Sequence, residues 1–317
     1  MMSLIARAAA ALLGAALLIG LPATASARAD GPVAKPAHAP PVPLLWKVSG
    51  AQGSELYLLG SFHLLKPDDY PVSADVDSAF NAADRLVFEL PPEQMSSPEL
   101  ATQMMQAALR RDGRLLENEL DADTWRRLQA WSAANNMPLE RLAGLKPWFI
   151  GLTISLTQMA QQGLDAEAGL DRHLMERAAK AGKAATGLET AASQISMLDG
   201  MSAEEQRQLL REALEQVEKG DQQSRRLHDA WRRGDAALLW NEMAAQMKRE
   251  YPRLYQRINV DRNDAWLAPL QRQLQGGQGT TLVVVGALHL LGSDGVVEKL
   301  RAKGYTVERI CSACKRR

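Results

Sequence analysis

Two stretches at opposite ends of this chain read almost alike. Leu56-Tyr57-Leu58-Leu59-Gly60-Ser61-Phe62-His63-Leu64-Leu65 aligns without a gap on Leu282-Val283-Val284-Val285-Gly286-Ala287-Leu288-His289-Leu290-Leu291, with five of the ten positions identical. Each is an apolar strand-like run followed by Gly-x-x-His. Glycine lets the backbone turn sharply there, so each His is expected on the loop at a strand's end. In open α/β sheets ligands bind at the carboxyl ends of the strands. If the two strands are neighbours, His63 and His289 face one cleft.

The rest of the chain supplies the sheet and its cover. Trp46 to Ser49 and Glu55 to Leu59 read as a hairpin joined by the turn residues Ala51-Gln52-Gly53-Ser54. After a helix over 73–83, Arg85-Leu86-Val87-Phe88-Glu89-Leu90 is a short apolar run stopped by Pro91-Pro92, which puts Glu89 at a strand's end. Residues 98–275 are dominated by Ala, Leu, Gln, Met, Glu and Arg in helical periodicity. One interruption, 183–188, reads as a strand carrying Glu189 to its edge. A buried strand over 280–285, a helix over 295–303 and a strand over 305–310 close the chain. The expected fold is α/β: a central mixed sheet with flanking helices and a large helical insertion between two related strand-Gly-x-x-His halves.

The first residues read differently. Arg7 precedes an uncharged apolar run from Ala8 to Leu21, and Ala25-Ser26-Ala27 carries small residues where a signal peptidase reads. Residues 1–27 are expected to be a cleaved export signal, 28–43 a flexible Pro/Ala-rich leader, and 44–317 a single domain in the periplasm or secreted. The run falls short of the ~20 residues that span a bilayer. The chain has 37 basic and 37 acidic residues, so removing Arg7 leaves 36 against 37 and no basic surface for nucleic acid. Only Cys311 and Cys314 are present, so neither a disulfide framework nor a four-thiolate zinc site can form. In an oxidising compartment they are expected to form a local disulfide.

Two imidazoles and a carboxylate are a common set of ligands for a divalent metal with positions left for water. His63, His289 and Glu89 are that set. Such an ion lowers the pKa of bound water and polarises a carbonyl, which amide or ester hydrolysis requires. Glu89 reads equally as an unligated general base. Arg262 is a candidate for oxyanion or carboxylate binding, or for a structural ion pair. Glu189 is a possible further ligand, or a carboxylate at a helix N-terminus. A His after a strand also serves often as a plain hydrogen-bonding residue; the repeated setting favours a shared site. No Gly-rich phosphate loop and no Gly-x-Ser-x-Gly elbow is present.

The two Gly-x-x-His motifs, the strand ending in Glu89, Lys146-Pro147-Trp148, Gly163-Leu164-Asp165-Ala166-Glu167-Ala168-Gly169-Leu170-Asp171, Gly187-Leu188-Glu189-Thr190 with Gln194, and Arg262-Asn263 resemble the TraB/GumN family. The resemblance runs in order from about Leu44 to Ile310. It covers the branch with the Tiki metalloproteases and the PrgY pheromone-shutdown proteins, and more distantly the erythromycin esterase and ChaN-like proteins. It implies an α/β core with a helical insertion, a site on the two motifs and the Glu, and, for Tiki-like members, a manganese- or cobalt-dependent peptidase; zinc suits the same ligands. The first motif is Gly-Ser-Phe-His where Thr often stands, and Glu89 lacks a following acid, which leaves the groups around the ligands in question.

Two readings follow: an exported metal-dependent hydrolase acting on a peptide or small molecule, or a non-catalytic binder of a peptide or haem-like ligand in the same cleft. Outside the site, His173 and Glu176 are expected to form a solvated pair on a helix, and His228 and His38 to be exposed. Trp125, Trp131, Met159 and Met243 fall at helical spacing and are expected in core or lid packing.

Overall fold

A computed structural model describes residues 39–220, 222–276 and 279–316. The expected signal segment, most of the leader and His38 lie outside the described residues. Six strands form one mixed sheet: β1 (Leu45–Ser49), β2 (Glu55–Ser61), β3 (Arg85–Phe88), β4 (Ala184–Gly187), β5 (Thr280–Gly286) and β6 (Thr306–Ile310), in the order β4-β3-β5-β2-β1-β6. β4, β3, β5 and β2 run parallel, whereas β1 is antiparallel to both β2 and β6. The parallel strands therefore deliver their carboxyl ends side by side. β5, Thr-Thr-Leu-Val-Val-Val-Gly, is buried along nearly its whole length, as a strand covered on both faces must be.

The longer helices are α1 (Ala74–Ala82), α2 (Pro98–Ala108), α3 (Ala122–Ala134), α4 (Pro147–Gln161), α5 (Leu170–Lys180), α6 (Ala191–Asp199), α7 (Ala203–Lys219), α8 (Gln222–Arg232), α9 (Asp261–Gln275) and α10 (Val296–Ala302). Their starts are legible: Ser73, Asp121, Thr190 and Ser202 each accept a first-turn N–H, and Pro147 stands at the first position of α4. α4 is apolar almost all round and buried against α7, where Gly151 lets the two backbones approach: a Cβ there would lie 3.1 Å from Leu209 and Leu210 main-chain atoms. Trp131, Met159 and Met243 are buried in the core, and Trp125 packs against it.

The two related segments pair in parallel, but one residue out of step with their alignment. Gly60 stands opposite Val285, and Ser61 opposite Gly286. Neither glycine works as a turn, contrary to the sequence reading. β2 continues through Gly60 to Ser61, and Gly286 has φ −50° and ψ 134°, open to any residue. Both are needed for space: a Cβ on Gly60 would come within 3.1 Å of the Ala287 Cα and the Leu44 Cβ.

Three expectations are corrected. The last part of the leader is not loose: Pro41 and Pro43 are buried, Val42 N–H donates to Arg232 O (2.7 Å), and an Arg309 Nη2–H donates to Pro43 O (2.6 Å). His228 is buried, with Nε2 2.7 Å from Asp69 Oδ2 and its ring stacked near Trp231, because it shares the inner face of α8 with Leu227 and Trp231. His173 is half-buried and rests against the Tyr70 ring, 4.4 Å between centroids, instead of pairing with Glu176 in solvent. Cys311 and Cys314 are joined by a disulfide.

Candidate active site

Each of the four parallel strands contributes to one buried cluster at its carboxyl end. The chain following β2 is clasped by residues 163–171: Leu65 and Asp165 exchange main-chain hydrogen bonds (3.1 and 2.8 Å), and Leu170 N–H donates to Phe62 O (3.1 Å). Gly169 permits this clasp, since a Cβ there would collide with His63 O at 2.2 Å. The clasp brings Asp171, the second residue of α5, against Ser61 Oγ and His63 Nδ1, both at 2.8 Å. His63 Nδ1–H donates to the Asp171 carboxylate, which turns Nε2 inward. That nitrogen is buried and has no hydrogen-bond partner.

Glu89 follows β3 directly. Its Oε1 accepts the Gly286 N–H (2.7 Å), its Oε2 accepts from Arg262 Nη2 (2.6 Å), and Oε1 lies 3.9 Å from His63 Nε2 and 4.0 Å from His289 Nε2. His289 sits in the 3-10 turn Ala287–Leu290 that ends β5. Its tautomer is settled from both sides. Asn263 donates its amide to Asp294 O (2.7 Å), so Asn263 Oδ1 accepts from His289 Nδ1–H (2.7 Å), while His289 Nε2 accepts from Arg262 Nη1 (3.0 Å). Both imidazoles thus present Nε2 to the same centre. Gly286 keeps that centre open, for a Cβ there would lie 3.2 Å from Glu89 Oε1, 3.4 Å from His63 Nε2 and 3.6 Å from His289 Cδ2.

Arg262, near the start of α9, ties the cluster to β4. Its Nε and Nη2 grip Glu189 at 2.8 and 3.0 Å, and Glu189 also accepts from Trp266 Nε1 (2.8 Å) and Gln194 Nε2 (2.9 Å). Trp266, one turn along α9 from Arg262, lies against both the guanidinium and the His289 ring. Such a network costs desolvation, which the bidentate geometry and the complete set of partners offset.

The electrostatics separate the two imidazoles. Burial opposes charge on His63, but the Asp171 carboxylate and then Glu89 outweigh it and raise its pKa to about 9. Burial and the adjacent Arg262 cation push His289 well below its ordinary value, so it stays neutral. Burial alone would raise Glu89, yet Arg262, His63 and the Gly286 N–H hold it below the usual carboxylate range. Arg262, though buried, is held more firmly protonated by Glu89 and Glu189.

His63, Glu89, His289 and Arg262, the residues singled out from sequence, are therefore brought together, and Glu189 joins through Arg262. Sequence reasoning assigned no role to Asp171, Asn263, Ser61, Gln194 or Trp266. Asp171, Gln194 and Asn263 lay inside the quoted motifs, and Trp266 stands four residues after Arg262 on one helix face.

Among the described residues no three His, Cys, Asp or Glu side chains stand so that they could hold one metal ion. Two ligands at ~2.1 Å from a shared ion sit roughly 3.0–3.5 Å apart, so the 3.9 and 4.0 Å separations are wide, and Arg262 holds His289 Nε2. In other respects the residues fit an ion. Each imidazole has its Nδ1–H fixed by an acceptor, as metal-binding histidines do, His63 Nε2 lacks a hydrogen-bond partner and Gly286 leaves the space between them, but His63, with its pKa raised to about 9, must release its Nε2 proton to take an ion.

The sequence model of the TraB/PrgY/gumN family matches residues 44–309. The chain is 25% identical over 256 residues to "Uncharacterized protein YbaP" of Escherichia coli K12, covering 77% of this chain and 87% of that protein, and equally to the protein of that name from Shigella flexneri. No solved structure matches.

Proposed function

Since the chain belongs to the TraB/PrgY/gumN family, we propose that it is an exported metal-dependent hydrolase of amide or ester bonds, a peptidase by resemblance, acting at the His63–Glu89–His289 centre. The observation that carries this reading is the buried, unpartnered His63 Nε2 facing Glu89 across the gap left by Gly286. His63, Glu89 and His289 are the residues that would hold the ion. Manganese or cobalt, when bound, supplies a water of lowered pKa and polarises the substrate carbonyl.

The chain's own groups do the remaining work. Asp171 and Asn263 fix the Nδ1 protons and so aim both Nε2 atoms at the centre. Glu89, kept ionised, completes the ligand set through Oε1 or, unligated, takes up a proton there as general base. Arg262, anchored by Glu189, holds a permanent positive charge where an oxyanion develops. Burial of all four side chains excludes bulk water and strengthens each of these interactions.

The test is hydrolysis of a mixed peptide library by the mature protein. Activity is expected to disappear on chelation, return with manganese or cobalt, and be absent from Glu89→Gln protein that still folds. Absence of turnover under every metal loading, with peptide or haem bound equally by wild type and Glu89→Gln, would instead identify a non-catalytic binder.

A further inference from the structure

Between the start of α4 and the start of α7 lies a cavity of about 470 Å³ lined by none of the His63–Glu89–His289 cluster but by Arg110, Arg111, Arg114, Lys146 and Arg207, with Asp112 and Glu119. We propose that it binds a phosphate-bearing anion. The charges decide this. Arg110, only 6% exposed, is shared between Glu119 and Asp112, Lys146 pairs with Asp199 (2.5 Å), and Arg207 pairs with Glu204 (2.7 Å). Arg111 and Arg114 make no ion pair among the described residues. Because Arg110 faces two carboxylates, these groups sum to one net positive charge, and the Arg111 and Arg114 guanidiniums are the forks left to grip phosphate oxygens.

The first helical residues of both helices, Pro147 and Ala203, line the same cavity; α7 is closed there by its Ser202–Glu205 capping box, whereas α4 begins without a side-chain cap or an acid in its first turn, so its positive end adds to that field. The cavity also falls in the size range of small-molecule sites. The described large hydrophobic side chains left exposed, Leu109 at 41% and Leu115 at 64%, bracket the same arginine-bearing segment. They give the phosphate two possible sources: a soluble compound, or a lipid headgroup beside which the leucines enter the bilayer.

The experiment titrates the mature protein calorimetrically with inorganic pyrophosphate, and sediments it with phosphatidylglycerol or phosphatidylcholine vesicles. Arg111→Gln/Arg114→Gln should fold normally, since both side chains are exposed, and bind pyrophosphate at least tenfold more weakly. If the source is a headgroup, Leu109→Ser/Leu115→Ser loses binding to phosphatidylglycerol vesicles while keeping pyrophosphate. If it is soluble, pyrophosphate binds and neither vesicle does. The proposal is overturned if wild type ignores both probes at millimolar phosphate, or if the arginine variant binds them as wild type does.

Discussion

Replacing Gly286 with alanine separates the folding of this chain from the chemistry proposed for it. The backbone there, φ −50° and ψ 134°, accepts alanine without strain. Loss of glycine freedom in the unfolded chain should stabilise by about 0.4–1 kcal/mol. The new methyl would stand 3.2 Å from Glu89 Oε1 and 3.4 Å from His63 Nε2, so those side chains must yield by a few tenths of an ångström. Mild overpacking of that kind costs about 1 kcal/mol, and the net change should stay within about 1 kcal/mol of zero. The Gly286 N–H to Glu89 bond survives, being a main-chain donor. The space between the three side chains does not: a methyl takes the room a water or an ion needs. Metal affinity is expected to fall by at least about 100-fold, beyond the ~10–100-fold seen when only supporting groups are changed. Urea unfolding and calorimetric titration with manganese read the two quantities on the same protein. A variant of unchanged stability and unchanged metal affinity would refute the idea that this gap is the reaction space.

Asp171→Asn should remove the charge that raises His63, so its imidazole titrates well below 9 by NMR; titration still near 9 would show that Asp171 is not the cause. In metal-free wild type, the raised His63 pKa contributes stability fully present below pH ~6.5 and lost as pH rises through about 9. By linkage the contribution is about 3 kcal/mol at most. Urea midpoints of wild type and Asp171→Asn should therefore converge across that window, and parallel pH profiles would contradict the assignment. Glu189→Ala strips Arg262 of its bidentate partner and leaves Trp266 Nε1 unpaired, for a loss of about 3 kcal/mol or more by denaturant unfolding; an unchanged midpoint would show that the network is not holding α9 to β4. Gly60→Ala should also destabilise, by about 1–3 kcal/mol, because its neighbours are main-chain and Cβ atoms with no room to move.

The strands and the residues at their ends were legible because they depend on local pattern. β5 is an unbroken apolar run, Pro91-Pro92 stops the chain after Glu89, and the short 183–188 interruption stands out from its helical surroundings. The pairing register was not legible. Two similar segments align best on their glycines, but hydrogen bonding puts Gly60 beside Val285, since β2 runs on to Ser61 while the chain after Gly286 coils into a 3-10 turn. The groups around the imidazoles were hidden for another reason. Asp171 and Asn263 reach their histidines from helices, through a loop clasp and a helix start that no periodicity specifies. His228 was misjudged from the charge of its helix, although Leu227 and Trp231 mark the inward face on which it lies.

The hydrolase reading meets its most direct test in the metal content of the mature protein, purified without chelator and loaded with manganese or cobalt, beside His63→Ala/His289→Ala. About one equivalent in the wild type and none in the double variant is the expected result. Equal metal in both proteins, or none in either under any loading, would contradict a metal held between the two Gly-x-x-His motifs.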